Sequence, residues 1–271
     1  MIDNWLGLKD TVCVVTGAAS GIGAAIAENL VAVGARVALL DLNTEGVTRL
    51  SAQLNDGGAT TIGIGVDTSD ESAVQSAAER VKRELGPCHA LINNAGLLRA
   101  APLSDVSLAD WNLVLAVNLT GYLLCARNFA AHMRETGRGS IVNVASISAL
   151  NPQTNSGAYS ASKAGVLLMS RQMAAEWGPQ GIRSNAVCPG MIRTALSAKF
   201  YEEPGFEQKR AAITAIRRVG EPTDIANVAV FLASKRADYV NGAEILVDGG
   251  MDCMLMDLVP RPGYNQTGKA A

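Results

Sequence analysis

A chain of 271 residues is long enough to bury a sizeable core, and 48% hydrophobic against 18% charged residues matches soluble globular averages, which excludes fibrous and disordered classes. Its 23 Lys and Arg stand against 25 Asp and Glu, a net charge of -2, so no bulk positive field gathers nucleic acid or anionic lipid and neither is an expected partner. No run of about 18 apolar residues stands out, Met1 to Asp10 fits neither a signal nor a transit peptide, and Cys13, Cys88, Cys125, Cys188 and Cys253 lack any C-x-x-C spacing; a cytoplasmic protein with reduced, mostly buried thiols and no metal site is expected.

From Thr11 onward, continuous β-rich apolar runs alternate with segments of helical period, the pattern of a parallel sheet covered on both faces. In chain order the pattern predicts strands at Thr11 to Thr16, Arg36 to Leu40, Thr60 to Val66, Ala90 to Ile92, Ser140 to Val144, Arg183 to Val187 and Glu244 to Val247. Between them it predicts helices at Gly21 to Val33, Thr44 to Asn55, Asp70 to Leu85, two between about Ser107 and Glu135, then Ala158 to Trp177 and Pro222 to Ser234. The fold class is therefore α/β: a single-domain, Rossmann-type, doubly wound parallel sheet of about seven strands spanning residues 1 to 271, with ligands expected beyond the carboxyl ends of the strands. Two segments break the alternation: Met191 to Arg218, of a length usual for a substrate lid, and a tail from Met251 to Ala271 with an apolar start (Met254, Leu255, Met256, Leu258, Val259) and a Pro/Gly-rich finish.

Thr16-Gly17-Ala18-Ala19-Ser20-Gly21-Ile22-Gly23 follows the first strand and opens the first helix, where bare N–H groups and the helix dipole attract a pyrophosphate. Its spacing is G-x-x-x-G-x-G; a ligand-free tight connection would also use such glycines. Asp41 ends the second strand 18 residues after Gly23, where a carboxylate accepts hydrogen bonds from both ribose hydroxyls of an adenosine, and it would repel a 2′-phosphate; as a bland alternative it caps the turn before Asn43-Thr44. No Lys or Arg stands at positions 18 to 20 or at Leu42 and Asn43, which favours NAD over NADP. Asp67 fits either an adenine contact or a cap for the helix near Asp70, and Asn93-Asn94-Ala95-Gly96 leaves room for a flat ligand beyond the fourth strand.

Tyr159 and Lys163 are four residues apart on one helix face, so the cation can lower the phenol's pKa; bringing it to neutrality needs about 4 kcal/mol of differential stabilisation. An amphipathic surface pair has the same spacing. Ser146, just past the fifth strand, suits either a turn cap or a hydroxyl that holds a substrate oxygen, and Asn118 is a polar residue in a strongly apolar helix, where a kink or a water would satisfy its amide.

Taken together these residues resemble the short-chain dehydrogenase/reductase family, from about Leu8 to Gly250. Thr16 to Gly23 is similar to its cofactor turn, Asn93 to Gly96 to its N-N-A-G element, and Asn118, Ser146, Tyr159 and Lys163 to its catalytic tetrad in order and spacing; Pro189-Gly190 and Thr194 also match. The resemblance implies cofactor contacts from Gly17, Ser20, Gly21, Ile22, Gly23, Asp41, Leu42, Asp67, Asn94, Ala95, Gly96, Tyr159, Lys163, Pro189, Gly190, Ile192 and Thr194. It implies that Tyr159 is the acid-base group for interconversion of a secondary alcohol and a ketone, that Ser146 orients the oxygen, that Lys163 binds the nicotinamide ribose and depresses the Tyr159 pKa, and that Asn118 anchors a proton-relaying water. It further implies a homotetramer.

For the small-molecule substrate, Ser148 and Met191 are candidate pocket residues; Gln153 and Asn155 suit the hydroxyls of a polyol or sugar, whereas Met191, Ile192, Leu196, Phe200 and Phe206 suit an apolar ketone. A 3-oxoacyl thioester reductase using NADPH is an alternative, and a non-catalytic NAD-binding sensor another, although a sensor has no use for Tyr159 with Lys163. A Ser-His-Asp hydrolase is excluded by the missing G-x-S-x-G and by His89 and His132, neither of which ends a strand.

Overall fold

The structure, a computed structural model, describes residues 4 to 194 and 201 to 259. Seven parallel strands form one sheet in the order β3-β2-β1-β4-β5-β6-β7, with β1 at Val12–Thr16, β2 at Arg36–Asp41, β3 at Thr61–Gly65, β4 at Ala90–Asn93, β5 at Gly139–Val144, β6 at Ile182–Pro189 and β7 at Glu244–Val247. The order reverses between β1 and β4, which opens the crevice of a doubly wound sheet above the end of β1. Consecutive residues of a strand face opposite layers. Cys13 and Val15 therefore pack with Val37, Leu39 and Ile92 under one layer, while Val12 and Val14 pack with Ala38, Leu40 and Leu91 under the other. Each such burial contributes about 1.5–3 kcal/mol for a Val or Leu, which is why the strands read as unbroken apolar runs.

The first layer holds α1 (Gly21–Ala32), α2 (Thr44–Asp56) and α8 (Pro222–Ala233); α3 (Glu71–Glu84), α5 (Gly121–Thr136) and α6 (Tyr159–Trp177) form the second. The strand ends differ from expectation by a residue or two. β6 runs on to Pro189 because its last residues pair with β7, Cys188 beside Leu246 and Pro189 beside Val247. The two helices expected between Ser107 and Glu135 are instead one continuous helical run. α4 (Leu108–Leu115) passes through a single π turn at Ala116–Thr120 directly into α5, since no Pro or solvent-exposed Gly stops it. By length and mean composition Leu108–Thr136 is apolar enough to cross a bilayer, though it holds no unbroken apolar stretch, and half of its most apolar window is buried in the fold. The run packs on α3, α6 and the central strands.

The connection after β6 returns to the sheet by a bridge between Ile192 and Gly220, and α7 (Phe206–Ala212) lies between them. Arg193 ion-pairs with Glu207 of α7 and with Glu221, and stacks over the Tyr201 ring at 4.7 Å. Of the expected lid and tail, Leu196, Phe200 and residues 260 to 271 lie outside the described residues. The start of the tail forms 3-10 turns over Asp252–Leu258, anchored by Asp248, whose carboxylate accepts from the Gly250 and Asp252 N–H groups, and by Asn151, whose amide donates to Asp252. His89 and His132 are structural: their Nδ1 atoms accept from the Val12 and Cys88 N–H groups at 3.2 and 3.4 Å.

Candidate active site

Above the end of β1 the backbone packs too closely for side chains at two glycines. Gly17 has φ +65, and a Cβ there would sit 2.8 Å from the Ala95 Cα; a Cβ on Gly23 would lie 2.1 Å from the Gly17 carbonyl oxygen. Gly21, φ +57, opens α1, and its Cβ would face Thr194 at 3.6 Å, so the bare backbone keeps a gap between the helix N-terminus and the segment after β6. Ser20 holds the N-cap position in extended conformation yet makes no side-chain cap bond, while Ile22 is half-buried behind it. The Thr16 hydroxyl accepts from the Asn94 and Ala95 N–H groups at 2.9 and 3.0 Å, and the Asn94 amide donates back to the Thr16 and Gly17 carbonyls at 3.0 and 3.1 Å, tying the ends of β1 and β4 into one rigid rim. These features fit a dinucleotide: a turn of glycines that allows close packing of β1, β4 and α1, facing the N-terminus of a helix.

At the end of β2, Asp41 is fixed by the Ala19 N–H on Oδ2 at 3.0 Å and the Asn43 N–H on Oδ1 at 2.8 Å, beside Leu42, which is 74% exposed. The turn contacts leave each Asp41 oxygen a second lone pair, so they are compatible with a ligand contact. The α2 cap itself is Asn43, whose side chain accepts from Gly46. Asp67 does not cap α3. It closes a turn on the Ser69 N–H and hydroxyl, while Asp70 accepts from Ser72 and Ala73 and caps the helix. Asp67 therefore stays exposed beyond β3 on the cofactor side.

The tetrad converges beyond β4 and β5. Ser146 follows β5 in extended conformation, its Oγ accepting from the Ser148 N–H at 3.1 Å and lying near enough to the Tyr159 hydroxyl to lower its pKa. Burial pushes the Tyr159 phenol above its ordinary 10, and Ser146 partly offsets this. Lys163, one turn on in α6, is 3% exposed; its ammonium donates to the Val144 carbonyl at 2.9 Å and to the Tyr122 hydroxyl at 3.1 Å, and stands 5.9 Å from the centre of the Tyr159 ring. Burial pulls the Lys163 pKa down to about 7. Asn118 sits in the π turn, fully buried, with its amide exchanging 2.9 Å bonds with both the N–H and the carbonyl of Leu97 and donating to Ser162 at 3.2 Å. A Cβ on Gly96 would lie 3.4 Å from Asn118 Oδ1 and 3.6 Å from Lys163 Nζ, so the N-N-A-G element keeps the space over the ammonium open.

On the substrate side, the Ser148 hydroxyl donates to Gln153 Oε1 at 3.3 Å, which places these two beside Ser146. Asn155 is not brought to them by any described contact: it occupies an exposed turn with φ +57, a conformation asparagine tolerates better than most residues. Met191 and Ile192 line a cavity of about 100 Å³ with Ile216, Arg218 and Val247, beneath the segment that follows β6. Pro189 ends β6, and a Cβ on Gly190 would collide with Asp248 at 2.6 Å, so this stretch presses against the strand β7 exit.

A family profile described as enoyl-(acyl carrier protein) reductase matches residues 17 to 252. The chain is 43% identical over 249 residues to a D-threitol dehydrogenase of Mycolicibacterium smegmatis, covering 92% of this chain and 95% of that protein. The chain belongs to the short-chain dehydrogenase/reductase family. Another relative, a galactitol 2-dehydrogenase (L-tagatose-forming) of Cereibacter sphaeroides, is 38% identical over 90% of this chain and 95% of its own. The structure of a gluconate 5-dehydrogenase from Burkholderia cenocepacia J2315, in complex with NADP and tartrate, superposes with a TM-score of 0.86 at 30% identity, over 91% of this chain and 96% of that one. In this short-chain dehydrogenase/reductase, sequence reasoning overlooked Thr16 and Tyr122. Thr16 reads as the last β-branched residue of a strand, with nothing to signal its role as anchor; Tyr122 stands four residues after Asn118, a spacing that points both toward the same helix face.

Proposed function

We propose that this protein is an NAD-dependent oxidoreductase that interconverts a secondary alcohol and a ketone, with a polyol or a related hydroxyl-rich molecule as substrate. The observation that carries the reading is the convergence of three groups: the Ser146 hydroxyl near enough to the Tyr159 phenol to lower its pKa, and the buried Lys163 ammonium 5.9 Å from the phenol ring, held by the Val144 carbonyl. Ser146 and Tyr159 together hold one substrate oxygen, and Tyr159 takes the hydroxyl proton in oxidation or returns it in reduction. A bound nicotinamide supplies the hydride acceptor or donor. Gly17, Ser20, Gly21, Ile22 and Gly23 hold the pyrophosphate, Asp41 and Leu42 the adenosine ribose, Asp67 the adenine edge, and Asn94, Ala95, Gly96, Lys163, Pro189, Gly190, Ile192 and Thr194 the nicotinamide half.

The polyol class rests on the polar wall made by Ser148 and Gln153 next to Ser146, and on the names of the threitol, galactitol and gluconate dehydrogenases to which the chain is similar. NAD is favoured by the fixed carboxylate of Asp41 with no basic side chain at Leu42 or Asn43, even though two similar solved structures hold NADP. A panel of tetritols, hexitols, aldonates, vicinal diols and apolar secondary alcohols, followed by nicotinamide absorbance with NAD and NADP in parallel, tests this directly. Highest kcat/KM is expected on a polyol with NAD; turnover confined to apolar alcohols, or to 3-oxoacyl thioesters with NADPH, overturns it.

The assembly we propose is a cytoplasmic homotetramer. Leu108, Leu113 and Leu123 of the α4–α5 run, Leu168 of α6 and Leu246 of the edge strand β7 are all exposed, as are Leu255, Met256 and Val259 at the start of the tail. Light scattering is expected to give the mass of about four chains; a monomer leaves these apolar faces without the proposed cover.

A further inference from the structure

The partner of Lys163 that faces it from the opposite helix is Tyr122, second residue of α5. Its side chain is buried, 1% exposed, and its hydroxyl is oriented from behind, because its O–H donates to the Val144 carbonyl at 3.0 Å. The hydroxyl oxygen therefore turns a lone pair toward Lys163 Nζ, 3.1 Å away, while Nζ also reaches the same Val144 carbonyl at 2.9 Å and stands 5.0 Å from the centre of the Tyr122 ring. The backbone of Tyr122 is held in turn by the Asn93 amide, which donates to its carbonyl at 3.2 Å and to Asn143 Oδ1 at 3.0 Å.

We infer that Tyr122 is a positioning residue for Lys163: its pinned hydroxyl and the Val144 carbonyl take two of the three ammonium N–H donors and direct the third toward the open space beneath Gly96. This rests on the proposed cofactor site, in which that space receives the nicotinamide ribose. A buried ammonium deprived of an acceptor loses its proton more easily. Tyr122 thus keeps Lys163 charged against the burial that pulls it down. The titratable groups facing Lys163 among the described residues are Tyr122 from α5, Tyr159 from its own helix and the Cys188 thiol from β6, and burial holds the Tyr122 phenol far above the working range.

The test is Tyr122→Phe, which removes one oxygen and keeps the ring. NAD affinity measured by calorimetry against pH is expected to weaken as Lys163 loses its proton, and in Tyr122→Phe to do so about one pH unit lower, the effect of one hydrogen bond to a charged group. Alcohol oxidation at neutral pH is expected to fall about tenfold in kcat with KM for the alcohol nearly unchanged. Coincident affinity profiles for the two proteins overturn the inference, as does a loss confined to alcohol KM. Should the native protein bind NAD yet turn over no alcohol, the proposed reaction fails while the affinity profiles still decide the role of Tyr122. If the variant does not fold, a crystal structure of the native protein with NAD decides it: Tyr122 Oη within about 3.2 Å of Lys163 Nζ is expected, and a separation beyond about 4 Å overturns it.

Discussion

Tyr159→Phe is expected to lower kcat about 10³-fold, within the range for loss of a positioned acid-base group, while the dissociation constant for NAD moves less than about threefold. The asymmetry follows from where the phenol oxygen points. It lies near Ser146, which lowers its pKa, whereas the glycines of the β1–α1 turn and the rim tied by Thr16 and Asn94 lie at the end of β1. Removing one oxygen leaves the ring, the helix and the glycine turn intact. The direction of the Tyr159 shift also fixes the pH dependence. Burial raises the phenol above its ordinary 10, and oxidation needs it deprotonated, so the oxidation rate should climb with pH through the alkaline range. Reduction needs the protonated phenol and should be flat at neutral pH and fall at high pH. Steady-state rates in both directions across pH, with NAD affinity by calorimetry, check both halves. An active Tyr159→Phe protein, or oxidation that is fastest in acid, removes Tyr159 from the acid-base role.

Much of this site is legible in the sequence because the sheet does the gathering. Parallel strands deliver their carboxyl ends to one edge, so Gly17, Asp41, Asn94 and Ser146, each recognised as lying just past an apolar run, necessarily become neighbours. Tyr159 and Lys163 follow from helical spacing alone. What was illegible depends on geometry that local pattern does not encode. Asp67-Thr68-Ser69 and Asp70-Glu71-Ser72 carry the same D-x-S signature, and each aspartate accepts from the serine two residues on; only the one followed immediately by α3 becomes a cap. The run from Leu108 to Thr136 reads as two helices because its apolar phase slips midway, yet the slip is a π turn, which advances the face by about one residue without ending the helix. That slip turns Asn118 into the interior, where both its amide atoms find the Leu97 backbone, and sets Tyr122 against Lys163. The contact between Ser148 and Gln153 crosses an irregular loop, for which spacing carries no prediction.

NAD is expected to bind about 100-fold more tightly than NADP, and Asp41→Asn to reduce that ratio at least tenfold, by weakening NAD and improving NADP together. A 2′-phosphate brought beside the Asp41 carboxylate places like charges within a few ångströms, an interaction of about 4 kcal/mol at 4 Å in a protein-surface dielectric; solvent at this half-exposed position reduces it to about 2–3 kcal/mol. Two structural features make Asp41 unable to avoid that encounter. Its oxygens are held by the Ala19 and Asn43 N–H groups, so the side chain has no rotamer that retreats without breaking both bonds, and no basic side chain at Leu42 or Asn43 shields it. Asparagine removes the charge but not without cost to NAD, since its carbonyl oxygen serves only one of the two N–H groups while its amide faces the other; a loss of about 1 kcal/mol, or roughly fivefold, in NAD affinity follows. Because the repulsion is electrostatic and partly exposed, the NAD to NADP ratio of the native protein should also shrink as salt rises, whereas that of Asp41→Asn should hardly respond. Equal native affinities for the two nucleotides, or a ratio that Asp41→Asn leaves untouched, would show that the choice is made elsewhere on the rim. The gluconate dehydrogenase crystallised with NADP shows that this fold can accept the phosphate, so the expected preference rests on the side chains at the end of β2 and not on the shape of the glycine turn.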